Sequence, residues 1–361
     1  MKHVVVAYDK SKWCAVPANN GANGPAWQWG DELLVGFTQG EACFEVAGHQ
    51  TRNDTPFLSL LARSLDGGET WQVHDPEHYT GDEGAREEHA APAPVGIDFT
   101  GPGFVMRVEG HGYHGNSGQH WFYSTDKGWS WSGPYTFGSL LDHPQLWGRQ
   151  FTGRTGYLAH GASDCFLFLS ARSQGIPGSQ VSLTDKVFLA HTGDGGVSFE
   201  FISWVVPATD EARAVMPAPA RLSPTRMIAA IRRRSDAVAS CWIDCYQSDD
   251  NGRSWAYLSR VGETGGHNGN PPALVRMLDG RLCCAYGNRD RAVMIARFSE
   301  DEGESWEREV ILRDDFQPVN GYPDLGYPRL FQRRDGKLVV AYFWCSPERP
   351  ETHIEATIFD A

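Results

Sequence analysis

The sequence predicts an all-β protein, a six-bladed β-propeller whose ring is closed by its N-terminal strand, and three observations carry that prediction. A turn motif, Ser64-Leu65-Asp66-Gly67-Gly68-Glu69-Thr70-Trp71, is written four more times, at 124–131, 192–199, 248–255 and 299–306. Short runs rich in β-branched and aromatic residues, bounded by Gly, Pro, Asp or Asn, fill the intervals. A sixth set of such runs follows the last copy without a motif of its own, and six units of about four strands each close into a ring of blades.

In every copy a Ser or Thr stands two residues before the Asp, a Gly two after it and an aromatic five after it. Glycine supplies the positive φ of a tight hairpin, the carboxylate accepts from turn amides, and the hydroxyl closes the same loop. The aromatic then folds back under the turn. The runs between the copies read as strands in order. Gly30 to Phe37 is a turn and an apolar run, and Phe57 to Arg63 leads into the first motif. Phe104 to Val108 and Gln119 to Tyr123 serve the second, and Tyr157 to His160, Cys165 to Ser170 and Lys186 to His191 the third. Arg226 to Arg232 and Ser240 to Tyr246 precede the fourth, and Gly280 to Tyr286 and Val293 to Phe298 the fifth. Tyr327 to Arg333, Gly336 to Phe343 and His353 to Phe359 make the sixth unit, which His3 to Ala7 completes, removing a free edge. Asp75 to Pro94 and Asp210 to Ala214 read as surface excursions, and one domain over residues 1–361 is expected.

The bulk composition narrows the function. A formal charge of −13 argues against a nucleic-acid surface. No apolar run approaches a membrane span, and the start, Met1 to Tyr8, turns polar too soon for a signal peptide. The eight cysteines lack zinc-like spacing and read as buried free thiols of a reducing cytosol, although a chain trimmed of an export signal would read the same way. No cofactor is expected. His111 and His114 are close in sequence but no third metal ligand has a matching spacing, and phosphate-loop, Gly-x-Ser-x-Gly and zinc-protease motifs are absent.

The five motifs resemble the Asp-box, or bacterial neuraminidase repeat, of sialidase-like propellers, and the resemblance covers nearly the whole chain. It implies that the motif Asp residues are structural and that ligand binds at the opposite end of the ring. It also implies three arginines gripping a carboxylate, a Tyr nucleophile assisted by a Glu, and an Asp acid/base. Gly326-Tyr327-Pro328-Arg329-Leu330, followed by Asp335-Gly336-Lys337-Leu338, is similar to the nucleophile strand and places Tyr327 on the Tyr. A phenol is a poor nucleophile unless a neighbouring carboxylate or cation activates it. Arg291, eight residues before Ser299, falls on the late arginine and would present a fork to a carboxylate. Asp54, ten residues before Ser64, falls on the acid/base loop, which also holds Arg52 and His49.

The departures are equally specific. Cys14-Ala15-Val16-Pro17 keeps only the Pro of an Arg-Ile-Pro motif, Val238 to Gln247 holds no arginine, and Met216 stands where the Glu partner is sought. Arg232, Arg233 and Arg234 offer compensation, with alternation sending Arg232 and Arg234 to one face. Histidines and asparagines crowd the segments expected at the ligand face: Asn19-Asn20-Gly21, His111 to Asn116, His160 with Asp164, and His267-Asn268-Gly269-Asn270-Pro271. Amides, imidazoles and stacked aromatics suit neutral sugars. His114 leads this set as acid, base or contact, and Asn20, His111, His160, His267, Asn270 and Arg329 are candidate substrate contacts. The leading expectation is a glycoside hydrolase releasing a terminal sugar from a glycan, with Tyr327 attacking the anomeric carbon, Asp54 protonating the leaving oxygen and Arg291 holding a carboxylate or hydroxyl. The alternatives are a lyase or rhamnosidase acting on uronate polysaccharide through His and Tyr, and a propeller that binds sugar without catalysis.

Overall fold

Each set of short runs folds into one antiparallel sheet, and in the computed structural model six such sheets stand in a ring. The structure describes residues 1–15, 27–52, 54–76, 90–109, 120–147, 149–173, 185–307 and 309–361. Strand β1 (Lys2–Ala7) comes first in the chain and belongs to the last sheet. Blade 1 contains β2 (Lys12–Ala15), β3 (Trp27–Trp29), β4 (Glu32–Glu41), β5 (Leu58–Ser64) and β6 (Gln72–His74); β2 and β3 pair with different stretches of β4, so its inner strand comes in two pieces. Blade 2 contains β7 (Val105–Glu109), β8 (His120–Ser124) and β9 (Ser132–Thr136). Blade 3 runs β10 (Arg149–Ala159), β11 (Cys165–Ser173), β12 (Asp185–Thr192), β13 (Glu200–Trp204). Blade 4 runs β14 (Arg213–Arg221), β15 (Met227–Ser235), β16 (Ser240–Ser248), β17 (Ala256–Glu263), and blade 5 runs β18 (Ala273–Arg276), β19 (Leu282–Asn288), β20 (Val293–Ser299), β21 (Glu309–Arg313). Blade 6 holds β22 (Gly326–Gln332), β23 (Leu338–Ser346) and β24 (Arg349–Phe359), and β1 pairs along β24 from Lys2 opposite Ile358 to Ala7 opposite Ile354. The expected closure by the N-terminal strand is therefore observed.

The core follows from this arrangement. There is one apolar cluster between every pair of neighbouring blades, six in all, instead of a single central one. Middle strands are buried on both faces; β23, Leu-Val-Val-Ala-Tyr-Phe-Trp-Cys-Ser, is buried along its whole length. Outer strands such as β17 are mostly open to solvent. That gradient explains which strands the sequence showed: the middle strands read as apolar runs, whereas β6, β9, β13, β17 and β21 carry too little apolar signal to stand out. The expected excursion at Asp210 to Ala214 is only partly one, because Arg213 and Ala214 already belong to β14 and Asp210 is tied to Arg233 at 2.7 Å.

All five repeated turns close as expected. In the first, Ser64 Oγ donates to Asp66 at 2.8 Å and accepts the Gly68 N–H at 2.7 Å, while Asp66 accepts from the Thr70 N–H at 2.9 Å and hydroxyl at 2.6 Å. Trp71 Nε1 folds back to the Gly68 carbonyl at 3.0 Å. Each motif Asp is held below the usual carboxylate range: partial burial opposes its charge, and the hydroxyl and amide donors outweigh it. The turns also fasten the ring. A Cβ on Gly252 would stand 2.0 Å from Leu189 of blade 3, one on Gly196 2.8 Å from Trp121 of blade 2, and one on Gly128 2.8 Å from Leu34 of blade 1. In each of these the glycine two residues after the motif Asp, at positive φ, lets the turn abut the preceding blade. Trp255 adds a hydrogen bond across the boundary of blades 3 and 4, to Ser203 at 3.2 Å, and Trp306 one across that of blades 4 and 5, to Ser259 at 3.1 Å.

Candidate active site at the mouth of the ring

Antiparallel alternation puts the repeated turns on one face of the ring and the blade-to-blade connectors on the other. On the connector face the starts of the inner strands β2, β14 and β22 meet the end of β15, the β4–β5 and β19–β20 loops, and the segments leading into blades 5 and 6. Tyr327 lies at the start of β22, where the β22–β23 register slips between Gly326 and Arg329. It takes φ +52 and stacks its ring on Phe343 at 5.4 Å. Arg232, near the end of β15, donates through Nη1 to the Tyr327 phenol oxygen at 3.1 Å and to Met216 Sδ at 3.3 Å. Its Nε donates to the Asn268 carbonyl at 2.8 Å. Arg289, 4% exposed, anchors its Nη1 on the His267 carbonyl, and its Nε has no hydrogen-bond partner among the described residues. Two adjacent carbonyls of the segment before blade 5 thus aim two guanidiniums at the mouth.

Opposite them stands a histidine–aspartate pair. Asp324, 1% exposed, meets His49 Nδ1 at 2.8 Å. The charge of Asp324 raises the His49 pKa against the cost of burial, and the Tyr327 phenol acts in the same direction. Burial pushes the Asp324 pKa up, but His49, Arg289 and the Trp13 indole N–H together bring it below the ordinary value. His49 keeps 42% of its side chain open to solvent. Around it Trp13 and Tyr322 make edge contacts at 5.8 and 6.1 Å, and Tyr322 touches His267 at 5.5 Å. The site therefore sets a partly exposed imidazole among aromatic rings, on the same face as the buried Tyr327 phenol.

The backbone is strained here as nowhere else in the described ring. Among the described residues nine that are not glycine have positive φ; Lys127, Asn251 and Glu302 sit inside repeated turns, and Ala239 and Ala292 in hairpin turns. The other four, Met216, His267, Asn268 and Tyr327, all belong to this mouth. Each such residue costs about 1–2 kcal/mol, and such outliers gather at functional sites.

Residues 51–340 match the BNR repeat-like domain family. The chain belongs to that family. No curated protein matches it in sequence. Among solved structures, this BNR repeat-like propeller is similar to a protein of unknown function from Dyadobacter fermentans (18% identity, 99% of this chain and 97% of that one, TM-score 0.70). It is also similar to an alpha-L-arabinanase from Penicillium chrysogenum complexed with arabinobiose (13% identity, 100% and 98%, TM-score 0.59). A Hadza microbial sialidase, Hz136, aligns at 14% identity and TM-score 0.57 over 96% of this chain, which spans 66% of that one. At these identities the likeness is one of fold.

Of the residues singled out in the sequence, the BNR repeat-like ring gathers Tyr327, Arg232, His267 and Asn270 at its mouth. Asn270 is fully buried, with its amide taken up by the main chain of Leu325 and Tyr327. Arg329 lies further down β22, half-buried, and donates to the Pro328 carbonyl. Arg291 is on the connector face but turns outward, to Glu309 of the outer strand β21 at 2.8 Å. Arg289, two residues earlier, faces the mouth instead. Asp54 and Arg52 pair with each other at 2.7 Å in solvent, Asp54 being 68% exposed, so the structure does not bring them to Tyr327. His160 is in the β10–β11 turn, on the face of the repeated motifs, where its neighbour Asp164 pairs with His191 at 3.0 Å. Asn20, His111 and His114 lie outside the described residues. Among the described residues no group of three or more His, Cys, Asp or Glu is placed to hold a metal ion. A cleft of about 340 Å³ against Phe104, Tyr123 and Thr125 also lies on the motif face, away from this chemistry.

Sequence reasoning reached His49 only as a neighbour of Asp54, and it missed Asp324 and Arg289. The available signal was proximity to Tyr327: Pro323-Asp324-Leu325-Gly326-Tyr327 carries the carboxylate three residues upstream of the phenol.

Proposed function

We propose that this propeller is a glycoside hydrolase that releases a terminal sugar from a glycan, with Tyr327 as nucleophile and His49, backed by Asp324, as the proton carrier. The observation that carries the reading is the Tyr327 phenol, 3.1 Å from Arg232, close enough to the His49–Asp324 pair to act on the charge of His49. The sialidase and the arabinanase complexed with arabinobiose among its fold neighbours support the class of chemistry.

In the first step the phenol oxygen bonds to the anomeric carbon as the glycosidic C–O bond breaks. Neutral His49 takes the phenol proton and passes it to the leaving oxygen. In the second step water attacks the same carbon, the bond to Tyr327 breaks, and His49 returns a proton from water to the phenol. Arg232 stabilises the negative charge that builds on the phenol oxygen in both steps. Asp324 keeps the imidazole in one orientation and favours its charged form in passing. The test is a panel of 4-nitrophenyl glycosides that includes sialosides and α-L-arabinofuranosides. The reading expects turnover of at least one, lost in Tyr327→Phe with binding kept; full activity in that variant overturns it.

The presence of an imidazole and a phenol at the same mouth also favours a second reading, lyase action on a uronate polysaccharide. His49 would take the proton beside the carboxyl, which Arg289 would neutralise, and Tyr327 would protonate the leaving oxygen. An unsaturated, ultraviolet-absorbing product on acidic polysaccharide identifies that reaction, and its absence removes it.

A further inference from the structure

Tyr327 is an unusual place for a catalytic side chain to be stable. At φ +52 it occupies a region that side chains other than glycine avoid, and it lies where the β22–β23 register slips, between Gly326 and Arg329. One of the groups that hold it comes from outside blade 6. The Asn270 amide, at the entry to blade 5 and 0% exposed, reaches across the boundary between the blades. Its Nδ2 donates to the Leu325 carbonyl at 3.0 Å and its Oδ1 accepts the Tyr327 N–H at 2.9 Å. Between those two contacts lies Gly326, at φ +108, where a Cβ would stand 2.0 Å from Asn270 Oδ1. On the other side, a Cβ on Gly287 would stand 2.9 Å from Asn270 Nδ2. Two glycines have been cleared, one in each blade, so that a single amide can close on this main chain.

We propose that Asn270 is a positioning residue, whose amide bridges blades 5 and 6 and locks the Tyr327 main chain in the left-handed conformation that sets the phenol against Arg232. The catalytic consequence rests on Tyr327 being the nucleophile, whereas the clamp itself does not. Neither a hydrophobic residue nor a carboxylate can replace the amide, because one end must donate and the other accept.

That requirement yields a sharp test. In Asn270→Asp the protonated carboxyl can donate to the Leu325 carbonyl and accept from the Tyr327 N–H, as the amide does. Ionised, it sets a charged oxygen against that carbonyl and the clamp opens. Burial in this boundary raises the pKa of such a carboxyl, which brings the change into an accessible range. Hydrogen exchange at the Tyr327 amide, corrected for its intrinsic rate, reads the clamp without any substrate. The Asn270→Asp variant should protect this amide like the parent at acid pH and about tenfold less once ionised, and Asn270→Ala should expose it at every pH. The kcat of Asn270→Asp relative to the parent, on the glycoside found in the panel, should follow the same pH curve with KM within about twofold. A merely structural asparagine would lower the melting temperature and leave that kcat ratio flat with pH. Parent-like exchange at the Tyr327 amide in Asn270→Ala, or a flat ratio in folded Asn270→Asp, overturns the proposal. Run alongside, Tyr327→Phe separates the two readings: full activity there removes the nucleophile, while the exchange data still decide the clamp.

Discussion

The two faces of this ring are built by opposite rules. On the motif face, each turn satisfies itself within eight residues, keeps glycine at the second of its two positive-φ positions, and repeats the solution five times. At the mouth, the partners of one side chain come from blades far apart in sequence: Tyr327 meets Arg232 and is held by Asn270, while Asp324 meets His49. There the left-handed positions are filled by Met, His, Asn and Tyr. The motif face spends sequence on holding blades together, and the mouth holds strained residues that the blades must support. The difference teaches that repetition marks the scaffold, and that local irregularity marks the place where chemistry can occur.

Substitutions on the two faces should therefore fail differently. The largest effect expected is on turnover: Tyr327→Phe should lower kcat about a thousandfold with KM little changed, measured on whichever glycoside the panel identifies. Asp324→Asn should lower kcat about a hundredfold and move the acid limb of the pH profile. The direction follows from charge. Neutral His49 is the proton acceptor and Asp324 raises its pKa above the usual 6.5, so activity climbs with pH through that raised value, and loss of the carboxylate should shift the limb down. The pair should also mark stability. What His49 contributes is complete below pH 6.5 and is lost as pH rises through its folded value; what Asp324 contributes is present above 3.8 and is lost as pH falls through its depressed value. The melting-temperature gap between parent and Asp324→Asn should therefore be widest between those two values and narrow on either side.

On the motif face the expected signature is reversed. Gly252→Ala forces a methyl to within 2.0 Å of Leu189 at a φ of +80, and should cost about 3 kcal/mol in a denaturant melt while activity per folded molecule is kept. Arg291→Ala gives the smallest effect. Its guanidinium is paired with Glu309 in partial exposure, so kcat/KM should change by less than about twofold and stability by less than about 0.5 kcal/mol. A tenfold loss of activity there would break the comparison, by showing that the outward-facing arginine swings into the mouth.

What could be read in advance divides along the same line. The repeats, the middle strands and the closure by β1 were legible because each depends on local spacing or on burial of both faces, as in the apolar run of β23. The outer strands were not, since a solvent-exposed strand such as β17 carries little apolar pattern. At the mouth, Tyr327 and Arg232 were legible from their segments. The choice between Arg289 and Arg291 was not, because it turns on the β19–β20 loop anchoring Arg289 on the Thr264 and His267 carbonyls while Arg291 reaches Glu309. Asp324 was missed because its partner, His49, is supplied by a loop at the other end of the sequence.

The pairing of β1 with β24 has a consequence for biogenesis. Once made, β1 has to wait, unmatched, until β24 has been made as well. Five blades can assemble during translation from segments close together in the sequence, whereas the sixth is finished only when β1 and β24 meet. The mouth lies beside that seam, with Tyr327 in the same sheet as β1, so the reactive geometry waits on the same pairing. Rejoining the ends and cutting in a repeated turn would transfer the seam to a different blade and release the mouth from that dependence.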